Sequence, residues 1–195
     1  MRVIAGSARG RKLKTRRGTE TRPTADRVKE SLFNILAPRL MGCSFLDVFA
    51  GTGGIGIEAL SRGAACCVFI EKNLQCVKII KENLSLTGFA DSTRVIPQEV
   101  RIALSELAAG DKPFDIIFLD PPYHSPELLP VINQVCREGL LKPGGLLVVE
   151  HHFKDTFWMS QAWEIMREKR YGDTGVSFLT PADKGGREIL PNGEE

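Results

Sequence analysis

The sequence has 195 residues and a formal net charge of +2, and 43% of the residues are hydrophobic and 26% charged, a composition typical of one soluble globular domain. No apolar stretch approaches the roughly 18 residues of a membrane span, and the N-terminus lacks the apolar core of a signal peptide, so we expect a cytoplasmic protein without a membrane partner. The five cysteines are odd in number and never spaced Cys-x-x-Cys, which argues against a disulfide framework and against a metal site.

Positive charge is concentrated near the N-terminus. Residues 1–39 hold eleven Arg or Lys against three acidic residues, a net charge of +8, so the remainder of the chain carries −6. Such asymmetry indicates a polyanionic partner, with a merely solvated basic extension as the alternative. Hairpin-like stretches at 2–6 and 10–13, followed by a helix start, predict that this segment is folded.

The first predicted helix begins near Thr24, a residue type that favours the N-cap position, and Asp26 suits the positive end of the helix dipole. An apolar stripe follows at helical spacing, formed by Val28, Leu32, Ile35 and Leu36. Pro38 is predicted to end the helix. The polar side would display Arg27 beside the Arg22 turn, where phosphates or base edges could be met.

Strands and helices alternate from residue 44 onward. Short apolar runs predict five buried strands, at 44–48, 66–70, 94–96, 114–119 and 146–150. Between them, helices are predicted through 57–60, 74–87, 100–108 and 128–140, with a turn at 142–145. This alternation predicts an α/β fold with a doubly wound, mostly parallel sheet and helices on both faces. An antiparallel hairpin formed by 163–171 and 176–180 would complete one edge and bring the sheet to seven strands.

A glycine-rich loop, residues 49–56, follows the first strand. Glu71 ends the second strand, at the spacing expected of an acid that accepts hydrogen bonds from both hydroxyls of a ribose. Asp47 lies inside the first strand, where its charge disfavours a pyrophosphate and favours a cationic amino group. A nicotinamide cofactor would account for the loop and for Glu71 but not for Asp47. S-adenosylmethionine has an amino group, a ribose and no phosphate, so it also satisfies Asp47 and is the predicted cofactor.

The tetrapeptide Asp120-Pro121-Pro122-Tyr123 directly follows the apolar strand 114–119. The two prolines remove two backbone donors and fix two φ angles, so the chain leaves the sheet as a stiff turn whose carbonyls can accept hydrogen bonds. A carboxylate, a fixed carbonyl and an aromatic ring then meet in the crevice where open α/β sheets bind ligands. This combination suits a planar substrate with an amino group. The alternative is a strand-ending Asp followed by a plain Pro-rich turn.

Taken in order, residues 47–53, Glu71 and 120–123 resemble the motifs of class I S-adenosylmethionine-dependent methyltransferases that act on exocyclic amino groups. More specifically, the stretches 2–6, 9–13, 22–34 and 58–64 resemble the RsmD family. The resemblance covers essentially the whole chain. It implies a Rossmann-like enzyme that methylates the N2 amino group of one guanine in small-subunit (16S) ribosomal RNA, either as free RNA or within an assembling ribonucleoprotein particle.

Domain organisation and site residues follow from the same resemblance. We expect an RNA-binding extension at 1–40 packed on a methyltransferase domain at 41–182, a polar tail at 183–195, and a monomer. The implied catalytic residues are Asp120, Pro121, Pro122 and Tyr123. The implied cofactor contacts are Asp47, Phe49, Ala50, Gly51, Thr52, Gly53, Glu71, Lys72, Gln98, Glu99 and Asp120. The implied RNA contacts are Arg9, Arg11, Lys12, Arg22, Thr24 and Arg27.

Other functions stay open on the sequence alone. Gln98-Glu99-Val100 stands where methyltransferases more often have a short acid or Asn before Ala, a departure that bears on the adenine contact. DNA adenine-N6 methyltransferases use a similar tetrapeptide but usually carry a target-recognition domain, for which we expect no room here. Protein glutamine methyltransferases resemble this group with Asn in place of Asp120. A non-catalytic RNA-binding ribosome-assembly factor would need only the basic segment.

Overall fold

The computed structural model describes residues 1–16, 23–122, 125–155 and 162–182, with side chains described from Val28 onward in the first helix. The strands are β1 (Ser44–Val48), β2 (Cys66–Ile70), β3 (Thr93–Ile96), β4 (Phe114–Leu119), β5 (Leu141–His152), β6 (Trp163–Tyr171) and β7 (Thr174–Pro181). The helices are α1 (Pro23–Leu40), α2 (Gly54–Ser61), α3 (Leu74–Thr87), α4 (Val100–Gly110) and α5 (Leu128–Arg137), and a short 3-10 turn spans Ala90–Ser92. Within these described ranges, no helix is long and apolar enough to cross a membrane.

All seven strands form one sheet, in the order β3-β2-β1-β4-β5-β7-β6. The first five strands in this order are parallel to one another, whereas β7 runs antiparallel to both β5 and β6. The order reverses at β1, which lies between β2 and β4, and this is the switch point at which open α/β sheets bind ligands. The predicted doubly wound sheet and its C-terminal hairpin are confirmed.

Alternate residues of the central strands supply two separate apolar layers. Phe45, Phe118 and Val148 pack with α1, α2, α3 and the N-terminal segment on one face of the sheet. Leu46 and Leu119 pack with α4 and α5 on the other. Central parallel strands are covered on both faces, which explains why their sequences are continuous apolar runs rather than alternating ones.

Two predictions about α1 are wrong. The helix begins at Pro23, so Thr24 lies inside the first turn and is not the N-cap; proline fits the first helical position because its missing N–H has no partner there in any case. The helix also continues through Pro38 to Leu40. Only one backbone hydrogen bond is lost so close to the end, and the buried Leu40 holds the final turn against the core.

Two further boundaries differ from the sequence prediction. The helix α2 already begins at Gly54, so the second half of the predicted loop forms its first turn. The predicted turn at 142–145 is part of β5 instead. There the register passes from Phe114 opposite Leu141 to Ile116 opposite Leu146, so the extra residues form an irregularity within a continuous strand. Bulges of this kind keep strand pairing while absorbing additional residues.

The N-terminal segment is attached to the core by buried polar groups as well as by apolar contacts. Residues 1–13 fold back on themselves with an antiparallel bridge between Arg2 and Lys12. The Glu58 carboxylate in α2 is fully buried and accepts hydrogen bonds from the backbone N–H groups of Ile4 (2.8 Å) and Ala5 (3.0 Å). It also pairs with Lys29 of α1 at 3.3 Å and with Arg62 at 2.8 Å. One carboxylate thus joins the segment, α1 and α2.

We expect Glu58→Ala to lower the free energy of unfolding by about 3–5 kcal/mol, because it removes the counter-charge of the buried Lys29 ammonium and the acceptor of two partly buried N–H groups. Urea denaturation followed by circular dichroism measures the change. The matched control is Glu82→Ala, which removes an exposed carboxylate paired with Lys14 at 2.9 Å and should change the free energy of unfolding little, because water screens exposed ion pairs. Equal effects of the two substitutions would contradict this role of Glu58.

Candidate active site

Parallel pairing brings four chain segments to one edge of the sheet. Val48, the last residue of β1, lies opposite Ile70 of β2 and opposite Leu119 of β4. Leu119 in turn lies opposite Val149 of β5. The next residues of these strands therefore emerge side by side: the glycine loop after β1, Glu71 after β2, Asp120 after β4 and Glu150 in β5.

The glycine loop between β1 and α2 is held in an unusual backbone conformation. Phe49 has φ +61°, in the left-handed region that residues other than glycine rarely adopt, and Gly51 and Gly53 have φ +54° and +81°. The loop is fixed by hydrogen bonds from the Ala50 N–H to the Ile70 carbonyl (3.0 Å) and from the Gly53 N–H to the Ala50 carbonyl (2.8 Å). A Cβ built on Gly51 would meet no atom within 4 Å, so open space lies beside this part of the loop.

Glu71 ties the loop to the end of β2. One oxygen of its half-buried carboxylate accepts a hydrogen bond from the Gly51 N–H at 2.9 Å, and the other accepts from the Asn73 N–H at 2.7 Å. Each carboxylate oxygen can accept a second hydrogen bond. The carboxylate is therefore oriented by backbone donors and still has acceptor capacity beside the open space at Gly51, as ribose recognition requires.

Asp47 is buried beneath the loop. Its carboxylate accepts a hydrogen bond from the Gly56 N–H in the first turn of α2, at 2.9 Å. Burial raises the pKa of Asp47 from 3.8 to about 7; the bond from Gly56 opposes this shift, and the charges of Asp120 and Glu71 add to it. The bond to Gly56 positions the loop, and a contact with the amino group of the cofactor stays a prediction.

Asp120 and Glu150 are neighbours across β4 and β5 and continue the same face of the sheet. Desolvation of the carboxyl group by the surrounding protein raises the pKa of Asp120 from 3.8 to about 6, although the residue keeps access to solvent. Burial, reinforced by the charge of Asp120, raises the pKa of Glu150 from 4.5 to about 8. Within the described residues, neither carboxylate has a hydrogen-bond or ion-pair partner. Sequence reasoning missed Glu150 as a site residue, because only the strand register places it beside Asp120.

Among the described residues, the turn after Asp120 has one main-chain carbonyl to which no donor is assigned. The Pro122 carbonyl already accepts a hydrogen bond from the Ser125 N–H at 3.0 Å. Within the described residues, no donor reaches the carbonyl of Pro121, whose ring is buried. A substrate contact of the Pro121 carbonyl stays a prediction. Tyr123, predicted to stack on the substrate, lies outside the described residues.

Gln98 and Glu99, which stand where an adenine contact is expected, form hydrogen bonds within the protein. Glu99 caps α4 by accepting a hydrogen bond from the Arg101 N–H at 3.0 Å. Gln98 donates to Glu106 at 3.1 Å, and its side-chain oxygen is buried without a hydrogen-bond partner among the described residues. Lys72 is exposed beside Glu71. Roles for these three residues in cofactor binding stay predictions.

Comparison with known proteins agrees with this arrangement. The family model described as conserved hypothetical protein 95 matches residues 1–180. Ribosomal RNA small subunit methyltransferase D of Escherichia coli (strain K12) is 39% identical over 186 residues, which are 95% of this chain and 92% of that protein. The chain belongs to this family, the RsmD family. The Haemophilus influenzae protein of the same name is 35% identical over 172 residues, 88% of this chain and 89% of its own length.

A solved structure of the Escherichia coli protein yhhF, provisionally described as a methyltransferase, has the same fold. It superposes with a TM-score of 0.80 at 37% identity and covers 93% of this chain and 97% of its own. The predicted resemblance and the Rossmann-like class I fold are thereby confirmed. The edge fits the predicted cofactor, S-adenosylmethionine: Glu71 offers acceptors for a ribose, Gly51 leaves open space, and the nearby carboxylates favour a cation.

The predicted RNA contacts lie in the N-terminal part of this RsmD-family chain. Arg9, Arg11 and Lys12 are exposed, and the Arg11 guanidinium also donates to the Leu86 carbonyl at the end of α3. Arg22 lies outside the described residues. Thr24 and Arg27 lie in the first turns of α1, where the backbone alone is described. RNA binding by these six residues stays a prediction.

We expect Glu71→Ala to weaken binding of S-adenosylhomocysteine by about 10- to 100-fold, because the substitution removes charged hydrogen bonds to the ribose and the acceptor that orients Gly51. Isothermal titration calorimetry measures the affinity. The control Asp91→Ala removes an exposed carboxylate from the turn before β3 and should leave the affinity unchanged. An affinity within twofold of wild type for Glu71→Ala would exclude the ribose role.

Proposed function

We propose that this protein transfers a methyl group from S-adenosylmethionine to the exocyclic N2 amino group of one guanine in small-subunit ribosomal RNA. The relatives named ribosomal RNA small subunit methyltransferase D support the general activity. The observation that carries the proposal is the position of Asp120: it directly follows β4 beside the end of β1, where the glycine loop starts, and two prolines follow it.

The proposed chemistry addresses the low reactivity of an arylamine. The amino nitrogen of guanine is a poor nucleophile because its lone pair is delocalised into the ring. The Asp120 carboxylate accepts one amino hydrogen and the Pro121 carbonyl accepts the other, so that the lone pair is directed out of the ring plane. The bound cofactor supplies an electrophilic methyl group on a sulfonium. Tyr123 would stack on the base and fix its plane, a contact worth about 1–3 kcal/mol.

The neighbouring carboxyl group of Glu150 affects the protonation state of Asp120. The two carboxyls interact and titrate as a pair, and because burial raises the pKa of both, the pair favours a single negative charge near neutral pH. This negative charge lies at the edge of the sheet where the cationic methyl donor is proposed to bind. After transfer, Asp120 is the group positioned to accept the proton that the methylated nitrogen releases.

RNA binding is assigned to the basic N-terminal segment. Its exposed cations reach phosphates, which position RNA without reading sequence. A base inside a helix cannot reach the end of β4, so the target guanine must be unpaired or extruded from its stack. DNA adenine methylation remains the second candidate from the tetrapeptide, and the names of the relatives favour RNA.

Mass-spectrometric mapping of modified nucleosides in ribosomal RNA, with and without the gene, tests the proposed substrate. Loss of one N2-methylguanosine from small-subunit RNA, restored by the wild-type gene, is the expected result. Unchanged N2-methylguanosine in ribosomal RNA, together with loss of N6-methyladenosine from DNA, would replace the proposal with the second candidate.

Asp120→Asn should reduce methyl transfer by on the order of 100-fold or more while leaving cofactor affinity within twofold, because the amide cannot take up a proton. The wild-type rate should rise with pH through about 6: the pKa of Asp120 is raised from 3.8 to about 6, so below that value the carboxyl is already protonated and cannot take up the proton that the methylated nitrogen releases. Tritium transfer to RNA, assayed across this range, measures both effects. A wild-type rate independent of pH, or full activity of the variant, would refute this role.

The double substitution Arg9→Gln with Lys12→Gln should weaken RNA binding at low salt and reduce the slope of log affinity against log salt by about one per cation removed. Fluorescence anisotropy with labelled RNA measures the slope. Lys112→Gln, an exposed cation outside the segment, is the matched control and should leave both quantities unchanged. A salt slope equal to that of wild type would show that these two residues do not meet phosphates.

A further inference from the structure

Asn83 connects the basic segment with the cofactor loop. It lies in α3 and is fully buried. Its side-chain oxygen accepts a hydrogen bond from the Lys14 N–H at 2.8 Å, and its amide nitrogen donates to the Lys14 carbonyl at 3.0 Å and to the Thr52 carbonyl at 3.0 Å. One buried amide therefore holds the end of the segment on one side and the glycine loop on the other.

The segment side of this contact extends toward the cofactor. Both backbone polar groups of Lys14 pair with the Asn83 amide, as they would with a neighbouring strand. Two residues later, Arg16 carries a positive charge that lowers the pKa of the Cys76 thiol in the first turn of α3, which burial and Glu71 raise. The segment therefore extends its positive charge toward the end of α3 that follows Glu71.

The loop side is equally close to the cofactor site. Thr52 lies between Gly51, whose N–H is held by Glu71, and Gly53, which caps α2 with φ +81°. Fixing the Thr52 carbonyl fixes the orientation of the Thr52–Gly53 peptide. Met1 covers the next residue, since a Cβ on Gly54 would lie 2.3 Å from the Met1 sulfur. The segment that is proposed to bind RNA is therefore packed against the loop that is proposed to bind the cofactor.

We propose that Asn83 is a positioning residue that couples RNA binding on the N-terminal segment to cofactor binding at the glycine loop. This inference rests on the proposed function. RNA that fixes the segment also fixes Lys14, and through Asn83 it orders the Thr52 carbonyl and the loop. Coupling of this kind is reciprocal, so the cofactor must strengthen RNA binding by the same factor.

The test measures a coupling factor: the affinity for S-adenosylhomocysteine with saturating 16S ribosomal RNA transcript, divided by the affinity without it. We expect a factor of about fivefold or more in the wild-type protein, and below twofold in Asn83→Ala. The matched control is Glu82→Gln. It alters the preceding residue of α3 and the 2.9 Å ion pair with the Lys14 side chain, but leaves the backbone bonds of Lys14 in place, so it should keep the wild-type factor.

A merely structural role of Asn83 would lower stability and leave the coupling factor of the folded protein unchanged, which would overturn the inference. Lys14→Pro reaches the same contact from the segment by removing the N–H donated to Asn83, and it replaces Asn83→Ala if that variant does not fold. If the wild-type protein binds RNA normally but its coupling factor is one, the inference is overturned and the proposed function is not. Failure of the wild-type protein to bind both the transcript and small-subunit ribonucleoprotein particles overturns the proposed substrate and this inference together.

Discussion

The parallel pairing of β1 with both β2 and β4 is the constraint on which the rest of the structure depends. Because Val48 lies opposite Ile70 and Leu119, the residues that follow these three strands emerge at one edge. The loop, Glu71 and Asp120 thereby become neighbours although some 70 residues separate the first from the last. A one-residue shift in either register would turn every side chain to the opposite face and separate the site from its layer of the core.

The carboxyl groups at this edge favour binding of a positively charged ligand, and they lower the stability of the free protein near neutral pH. Burial raises the pKa of Asp47, and crowding and burial raise those of Asp120 and Glu150. A carboxyl whose pKa is raised on folding stabilises the folded state fully below its unfolded pKa, and this contribution is lost as pH rises through the folded value. The free protein therefore carries an electrostatic cost near neutral pH, and a bound cation offsets it.

The N-terminal segment is joined to the methyltransferase core by buried polar contacts at several points. Glu58 accepts two of its backbone N–H groups, Ser61 bonds to the backbone of Ala5 and Ala8, and Asn83 holds Lys14. Such contacts are directional, so they fix the position of the segment as well as its attachment. Its exposed cations are consequently held in a defined position relative to the glycine loop, which suits the proposed RNA substrate.

The sequence by itself determined the order of strands and helices and three elements of the site: the glycine loop, Glu71 and Asp120. These follow from local rules, since buried parallel strands are short apolar runs and each functional residue directly follows one. Tertiary structure alone decided the remainder. Glu150 joins Asp120 through the β4–β5 register, and Asn83 joins residues 14 and 52 through packing of α3. The continuation of α1 past Pro38 likewise depends on a core position for Leu40. The physical reason is the same in each case: contacts between residues far apart in sequence, or against a core that many elements build together, leave no periodic signal in the chain.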